Sequence, residues 1–316
     1  MKAVVCPRYG PAEVLQIRDV DKPTPTDNQL LVRVYATTVT SGDVRQRKAD
    51  PWIVRLFAGL RRPKHPILGS DLAGVVEGVG KDVTRFKVGD AVFGGGVHTY
   101  AEYTCLKEGG SRAIKPANLT FEEAAAIPWG YGCSLYFLRR GNIGKGQRVL
   151  IYGASGSLGT AGVQLAKYFG ADVTGVCSTA NLELVKSLGA DRVIDYTKQT
   201  FYEPGAYDLI YHTVGKVSVS KSLKSLRRGG SFVSALSLAP WLRRPQAAIS
   251  GGKKVIGGIA KVKAEDMAYL KGLAEEGHIK AVIDREYPLE QIVEAHRYAG
   301  MGHKRGNVVV TVTPSR

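Results

Sequence analysis

Residues 148–170, RVLIYGASGSLGTAGVQLAKYFG, leave the chain little conformational freedom. Val149, Leu150, Ile151 and Tyr152 form a short β-prone apolar run. Leu158, Ala161, Leu165 and Phe169 then recur at helical spacing, and Gly170 is a fitting C-cap. Between strand and helix lies Gly153-Ala154-Ser155-Gly156-Ser157-Leu158-Gly159. The chain must reverse sharply after the strand, which calls for small or glycyl residues. Gly156 lets the backbone approach a phosphate, and Gly159 lets the helix lie close to the sheet. The free N–H groups of the first helical turn then face an anion. Read from Ala154, the pattern A-x-G-x-x-G is the dinucleotide fingerprint with Ala for its first Gly, in the strand–turn–helix setting the motif requires. Ala154, Ser155, Gly156, Ser157, Leu158 and Gly159 are therefore the first expected cofactor contacts.

The 316 residues suffice for two domains. No apolar run approaches the ~20 residues of a membrane span, and the start, MKAVVCPRYG, lacks a signal-peptide pattern. A cytoplasmic location is the expectation. Cys6, Cys105, Cys133 and Cys177 form no C-x-x-C pair, so neither a zinc ribbon nor a redox dithiol is indicated. The net charge of +16 favours anionic ligands. Its basic residues are spread without a nucleic-acid module. No nucleic-acid partner is expected, and any association with RNA or an anionic membrane should be weak and salt-sensitive.

Up to about residue 120 the chain reads as all-β, with runs at 2–6, 15–19, 30–36, 72–79, 91–93 and 100–105 separated by turn signals. That spacing suggests a small barrel. Residues 50–66 interrupt it: Trp52, Ile53, Leu56, Phe57 and Leu60 make an apolar helical stripe beside Arg55, Arg61, Arg62 and Lys64. A lid, a membrane-surface helix and an ordinary packed helix all fit. From residue 121 helices at 122–127 and 135–138 lead into an alternation. Strands fall at 149–152, 172–177, 192–195, 208–211, 231–236 and 254–259, with helices at 182–188 and 218–226. This is a doubly wound parallel sheet, followed by a helix at 264–276. A helix at 290–299 and a strand at 307–313 return the tail to the first domain. The predicted domains are 1–120 completed by 281–316, and 121–280.

These elements resemble the medium-chain dehydrogenase/reductases. The resemblance is carried by Pro66-Ile67-Leu68-Gly69-Ser70-Asp71-Leu72-Ala73-Gly74, Arg85-Phe86-Lys87-Val88-Gly89-Asp90-Ala91-Val92, Ala124-Ala125-Ala126-Ile127-Pro128, the fingerprint, Lys186-Ser187-Leu188-Gly189-Ala190-Asp191, and the tail Gly306-Asn307-Val308-Val309. It covers essentially the whole chain. It implies an α/β protein with a GroES-like β-barrel catalytic domain and a Rossmann doubly wound parallel sheet domain.

The family's zinc enzymes carry a Cys and a G-H-E as metal signatures. Here Thr40 stands at the Cys position and Gly69-Ser70-Asp71 replaces G-H-E, and neither Thr nor Ser is a usual zinc ligand. The resemblance is therefore to the zinc-free quinone oxidoreductase branch, with no metal site. An NAD enzyme places Asp or Glu beside the adenosine ribose at the end of the second strand. This chain has Cys177-Ser178-Thr179, then Asn181, so NADPH is the predicted cofactor. Ser178, Asn181 and, by family position, Tyr196 are expected to hold its 2′-phosphate. The alternative for Ser178 is a plain helix cap. By resemblance Thr213, Val214, Ala235, Leu236 and Asn307 join the cofactor contacts. Thr40 is expected near the nicotinamide or the acceptor oxygen, with Arg45, Phe93 and Trp129 lining the pocket. His65, His98 and His212 are read as structural.

The implied activity is NADPH-dependent, zinc-independent hydride transfer to a small electrophile, a quinone or α,β-unsaturated carbonyl. Alternatives are an NADP-dependent alcohol dehydrogenase or enoyl reductase on the same scaffold, and a cofactor-binding protein acting through RNA or a membrane surface. Residues 253–260 should form an edge strand, which invites a homodimer.

Overall fold

The computed structural model of the chain describes residues 1–52, 54–215, 218–235 and 251–313. They fall into two compact units, 1–129 with 263–316, and 130–262. The second division lies earlier than position 280 for a physical reason. Helix α8 (Ala264–Glu275) packs on strand β7 (Arg112–Ile114). Its C-terminal end also takes hydrogen bonds from Asn118 Nδ2 to the Ala274 carbonyl (3.0 Å) and from the Ala117 N–H to Glu275 (3.1 Å).

In the first unit β1 (Lys2–Val5) pairs antiparallel with β2 (Gln16–Asp19). The main sheet holds β3 (Gln29–Thr38), β4 (Asp71–Val79), β5 (Ala91–Gly95), β6 (Tyr103–Lys107), β7, β14 (Ile283–Pro288) and β15 (Asn307–Thr311). Its path runs β14-β15-β3-β4-β5-β7, with β6 also on β3. Strand β3 is central because its sequence alternates: Leu30, Val32 and Val34 are fully buried against Leu72, Val76, Val92 and Leu106, while Arg33 points to solvent. Its last residues, Ala36, Thr37 and Thr38, are buried on both faces. Two buried hydroxyls there need partners, and the site is built on them.

Helix α1 (Ser41–Lys48) follows β3. It shows no apolar stripe, and its start is set by a capping box in which Thr40 and Asp43 satisfy each other's backbone N–H. Helix α2 (Val54–Ala58) is much shorter than the 50–66 stripe suggests. Gly59 takes φ +116°, where a Cβ would overlap the Arg62 carbonyl, and the helix stops there. Helix α9 (Ile292–Gly300) buries Ile292, Ala295 and Ala299 in a second core with Val4, Val44, Leu68, Tyr100, Val308 and Val310.

The second unit is one parallel sheet of β8 (Arg148–Tyr152), β9 (Asp172–Cys177), β10 (Arg192–Asp195), β11 (Tyr207–His212), β12 (Leu226–Ser234) and β13 (Lys254–Ile256). The order is β10-β9-β8-β11-β12-β13. Counted within the unit this is 3-2-1-4-5-6, the doubly wound order. All six residues of β11 are buried, as a central parallel strand requires. Helices α4 (Cys133–Arg140) and α5 (Ser157–Tyr168) pack together, with Ser134 Oγ donating to the Leu158 carbonyl at 2.9 Å. The strand order reverses between β8 and β11, so their C-terminal ends mark the ligand crevice of such a sheet.

Candidate functional site

The turn after β8 has the shape a pyrophosphate needs. The N–H groups of Gly153 and Ala154 both donate to the Val176 carbonyl, at 3.0 and 2.9 Å, which fastens the turn to the end of β9. Gly153 lies at φ +83°, and a Cβ there would strike Val214 and Thr213 Oγ1. A Cβ on Gly159 would overlap the Gly153 carbonyl oxygen, so α5 can start this close to the strand only with glycine. At Gly156 the position of a Cβ is open, with nothing nearer than the Gly153 carbonyl at 3.8 Å. Gly156 is the N-cap of α5 and no side chain caps the helix. Open backbone beside an uncapped helix N-terminus fits a dinucleotide phosphate. Thr213 closes the other side, its Oγ1 donating to the Tyr152 carbonyl at 2.8 Å.

A polar cluster stands at the end of β9. Asn181 Nδ2 donates to Ser155 Oγ at 3.2 Å and to Ser178 Oγ at 3.1 Å. With both hydroxyl oxygens accepting from Asn181, each serine keeps its own proton to donate. Ser178 makes no side-chain cap bond to the helical turn after it. Tyr196 is half exposed, and its N–H donates to the Cys177 carbonyl at 3.1 Å, next to Ser178. Asp195 is buried, but its charge is consumed by Thr179 Oγ1 (2.5 Å) and Thr197 Oγ1 (2.7 Å), which hold its carboxyl below the usual range. Val214 is partly exposed beside Gly153, and the Ala235 N–H bonds the His212 carbonyl. Leu236 lies outside the described residues. His212, at the end of β11, stacks on Tyr152 with centroids 5.0 Å apart, and burial lowers it to about 4. It is a neutral core histidine at physiological pH.

The first unit carries a second polar cluster, around Thr40. Thr40 Oγ1 donates to Asp43 Oδ2 at 2.6 Å and accepts the Asp43 N–H at 3.1 Å. Ser70 Oγ also donates to Asp43, at 3.2 Å. Thr37 Oγ1 donates to the Asp71 carbonyl (2.6 Å) and Thr38 Oγ1 to Asp71 Oδ2 (3.0 Å), so the two buried hydroxyls of β3 are satisfied. Gly69, at φ +98°, is required because any side chain would meet Thr99 and Tyr100. Trp129 lies against the same helix start: a Cβ on Gly42 would meet its ring at 3.3 Å and Thr40 Oγ1 at 3.2 Å. Arg45 is half-buried one turn into α1. Phe93, expected to line a pocket, is fully buried within β5 and offers no surface to a ligand. Asn307 is also buried, its Nδ2 bonded to the Val282 carbonyl at 3.1 Å.

Asp43 and Asp71 are both buried and repel each other. Asp43 draws donors from Thr40, Ser70 and Tyr100. Asp71 is pushed up to about 8 by burial and by the Asp43 charge. Burial raises Asp43 as well, with the bonds from Thr40 and Ser70 offsetting part of the rise, and Asp71 is protonated at neutral pH. The unfolded chain releases that proton near pH 4, whereas the folded chain keeps it to about 8. Its contribution to stability is full below pH 4 and is lost as pH rises through 8. Asp71→Asn mimics the protonated form, so its melting temperature should fall less steeply between pH 5 and 9 than that of wild type. Parallel melting curves across that range would contradict a protonated Asp71. Neither Asp43 nor Tyr100 was apparent as part of a site from the sequence. The signal for Asp43 was the Thr40-x-x-Asp43 spacing of a capping box.

Among the described residues no group of three or more His, Cys, Asp or Glu side chains is placed to hold a metal ion. The alcohol dehydrogenase GroES-like domain family matches residues 26–132, and the zinc-binding dehydrogenase family matches residues 188–310. The chain is 33% identical to 2-methylene-furan-3-one reductase of Solanum lycopersicum, over 99% of this chain and 80% of that one. It is 30% identical to the NADPH-dependent alkenal/one oxidoreductase, chloroplastic, of Arabidopsis thaliana, with the same coverages. The solved structure of the quinone oxidoreductase from Coxiella burnetii superposes with a TM-score of 0.89 at 29% identity, over 99% of both chains. Likeness that runs from end to end, on a Rossmann strand order and a pyrophosphate-shaped turn, makes this chain an NAD(P)-dependent oxidoreductase: it belongs to the medium-chain dehydrogenase/reductase family, in its quinone oxidoreductase-like branch.

Proposed function

We propose that the protein is an NADPH-dependent, zinc-independent reductase of quinones or α,β-unsaturated carbonyls. The observation that carries the cofactor half is the Ser155–Asn181–Ser178 cluster at the end of β9. Ser178 stands where an NAD enzyme uses a carboxylate, and two hydroxyls with protons to give suit a 2′-phosphate. Tyr196 lies beside it. Ala154 to Gly159 are assigned to the pyrophosphate, and Thr213, Val214 and Ala235 to the rest of the cofactor. The acceptor half is supported by the relatives: an alkenal/one oxidoreductase, a furanone reductase and a quinone oxidoreductase are all named for conjugated carbonyls.

When bound, the dihydronicotinamide supplies the hydride. The residues here orient it against the acceptor and exclude water. Thr40, with Arg45 and Trp129, is assigned to the acceptor side. The Thr40 proton is held by Asp43, so the proton that follows the hydride is drawn from water. With Thr40 and Ser70 at the metal-ligand positions no Lewis acid is available to hold an alkoxide. A conjugated acceptor needs none, because its negative charge spreads into the carbonyl. Purified protein should contain no stoichiometric zinc, and NADPH oxidation with a quinone, an enone, an enoyl thioester and a saturated aldehyde should be indifferent to chelator. One zinc per chain, with activity lost on chelation, would refute this reading.

Among the described residues strand β13 ends the sheet, and Ile259 just beyond it is 85% exposed. An unpaired edge next to an exposed apolar side chain is assigned to a second copy of the chain. Light scattering should report a homodimer, and a monomer at high concentration would rule the contact out.

A further inference from the structure

The 50–66 segment is absorbed neither by the cofactor turn nor by the Asp43–Asp71 cluster. Trp52 is 64% exposed, Leu56 51% and Leu60 63%, three large apolar side chains within nine residues of chain. Scattered exposed hydrophobics are ordinary, but three so close together mark an interaction surface. Trp52 begins the turn that becomes α2, its carbonyl accepting the Arg55 N–H at 3.0 Å. Trp52 and Leu56, four residues apart, therefore share a face. The tip is firmly seated. Tyr9 OH donates to the Gly59 carbonyl at 2.7 Å, the Lys64 N–H donates to the Ala58 carbonyl at 2.8 Å, and Gly59 and Pro63 are buried beneath it. Folding thus holds the apolar side chains out in the solvent.

The charge beside them is of one sign. Arg61, Arg62 and Lys64 are exposed, and residues 51–70 include no Asp or Glu. Two copies meeting on this patch about a two-fold axis would set Arg61, Arg62 and Lys64 against their own counterparts. A bilayer bearing anionic headgroups instead offers an apolar layer for Trp52, Leu56 and Leu60 and negative charge for the basic residues directly above it. We propose that the tip carrying Trp52 and residues 54–64 docks the protein on anionic membrane surfaces, inserting Trp52, Leu56 and Leu60 to headgroup depth while Arg61, Arg62 and Lys64 bind the lipid phosphates or carboxylates.

The test is co-sedimentation of the full chain with phosphatidylcholine vesicles, with and without 30 mol% phosphatidylglycerol, in low and high salt. The partition coefficient is expected to be at least tenfold higher with phosphatidylglycerol and to lose most of that advantage in high salt. Each basic residue near the surface is worth about fivefold. Arg61→Gln/Arg62→Gln should therefore lower binding to anionic vesicles by tenfold or more, and Trp52→Ser/Leu56→Ser/Leu60→Ser by at least as much. Both variants should keep the wild-type melting temperature, since the side chains changed are exposed. Phosphatidylglycerol binding within twofold of that to phosphatidylcholine alone would overturn the proposal. So would serine variants that sediment like wild type. If those variants lose apparent affinity for an enone but not for vesicles, the tip serves the protein's own pocket and not a membrane.

Discussion

Gly159→Val is expected to melt roughly 2–12 °C below wild type and to bind NADPH about tenfold more weakly or worse. Gly159 opens α5 against the turn after β8, and even a Cβ would overlap the Gly153 carbonyl and press on Ala154. Both residues are tied to the end of β9 through the Val176 carbonyl, so the turn cannot yield without breaking sheet contacts. Overpacking of this kind costs roughly 1–3 kcal/mol or more, about 2–4 °C per kcal/mol for a chain of this size class. Helix propensity adds little to the loss, because valine is no worse than glycine within a helix. Any loss is therefore tertiary. The same displacement moves the N–H groups of the first helical turn, which explains why affinity and stability should fall together. A variant with wild-type melting temperature and an NADPH dissociation constant within twofold would mean that the close approach does not shape the cradle.

The second large effect belongs to Ser178→Asp. If Ser155, Ser178 and Asn181 hold a 2′-phosphate, a carboxylate at 178 sets like charges together. Repulsion in a partly screened site is roughly 1–4 kcal/mol, and ~1.4 kcal/mol is a decade in affinity. NADPH binding should weaken tenfold or more. NADH should lose little, since a carboxylate can accept from its ribose hydroxyl. Fluorescence titration of both cofactors with both proteins measures the change. Unchanged NADPH affinity in the variant, or a wild type that already prefers NADH, would leave Ser178 without a part in cofactor choice.

The second unit was legible because its sequence rules are local. A parallel strand buried on both faces reads as an apolar run, and the turn after β8 needs small residues at fixed offsets. Each predicted strand of that sheet has a counterpart among the described residues, although β13 ends at Ile256, short of position 259. The first unit was harder. Helix α1, SGDVRQRK, presents no apolar periodicity and is started by its capping box. Strand β14, IDREYP, has no buried residue and exists through its parallel register with β15. The three residues of β7 are too few for a pattern. The extended helix expected over 50–66 shrank to Val54–Ala58 because of the backbone at Gly59.

The same contrast runs through the site. Ser155, Ser178 and Asn181 lie in two short segments joined by helix α5 and strand β9, and they meet by hydrogen bonds. Asp43 in α1, Asp71 in β4 and Tyr100 in the connection from β5 to β6 are far apart in sequence, and only folding puts the carboxylates together. In the sequence Asp71 showed itself only as a departure from a metal signature. Phe93 was placed by family position, which carries no information on how far β5 is covered.

The decisive measurement is kcat/KM for NADPH oxidation with an α,β-unsaturated ketone and with its saturated counterpart, in the presence of chelator. A reductase that relies on charge spreading through the conjugated carbonyl should favour the enone by at least a hundredfold, roughly 2.7 kcal/mol in the transition state. Comparable rates on the two ketones, or activity that returns only when zinc is restored, would contradict it.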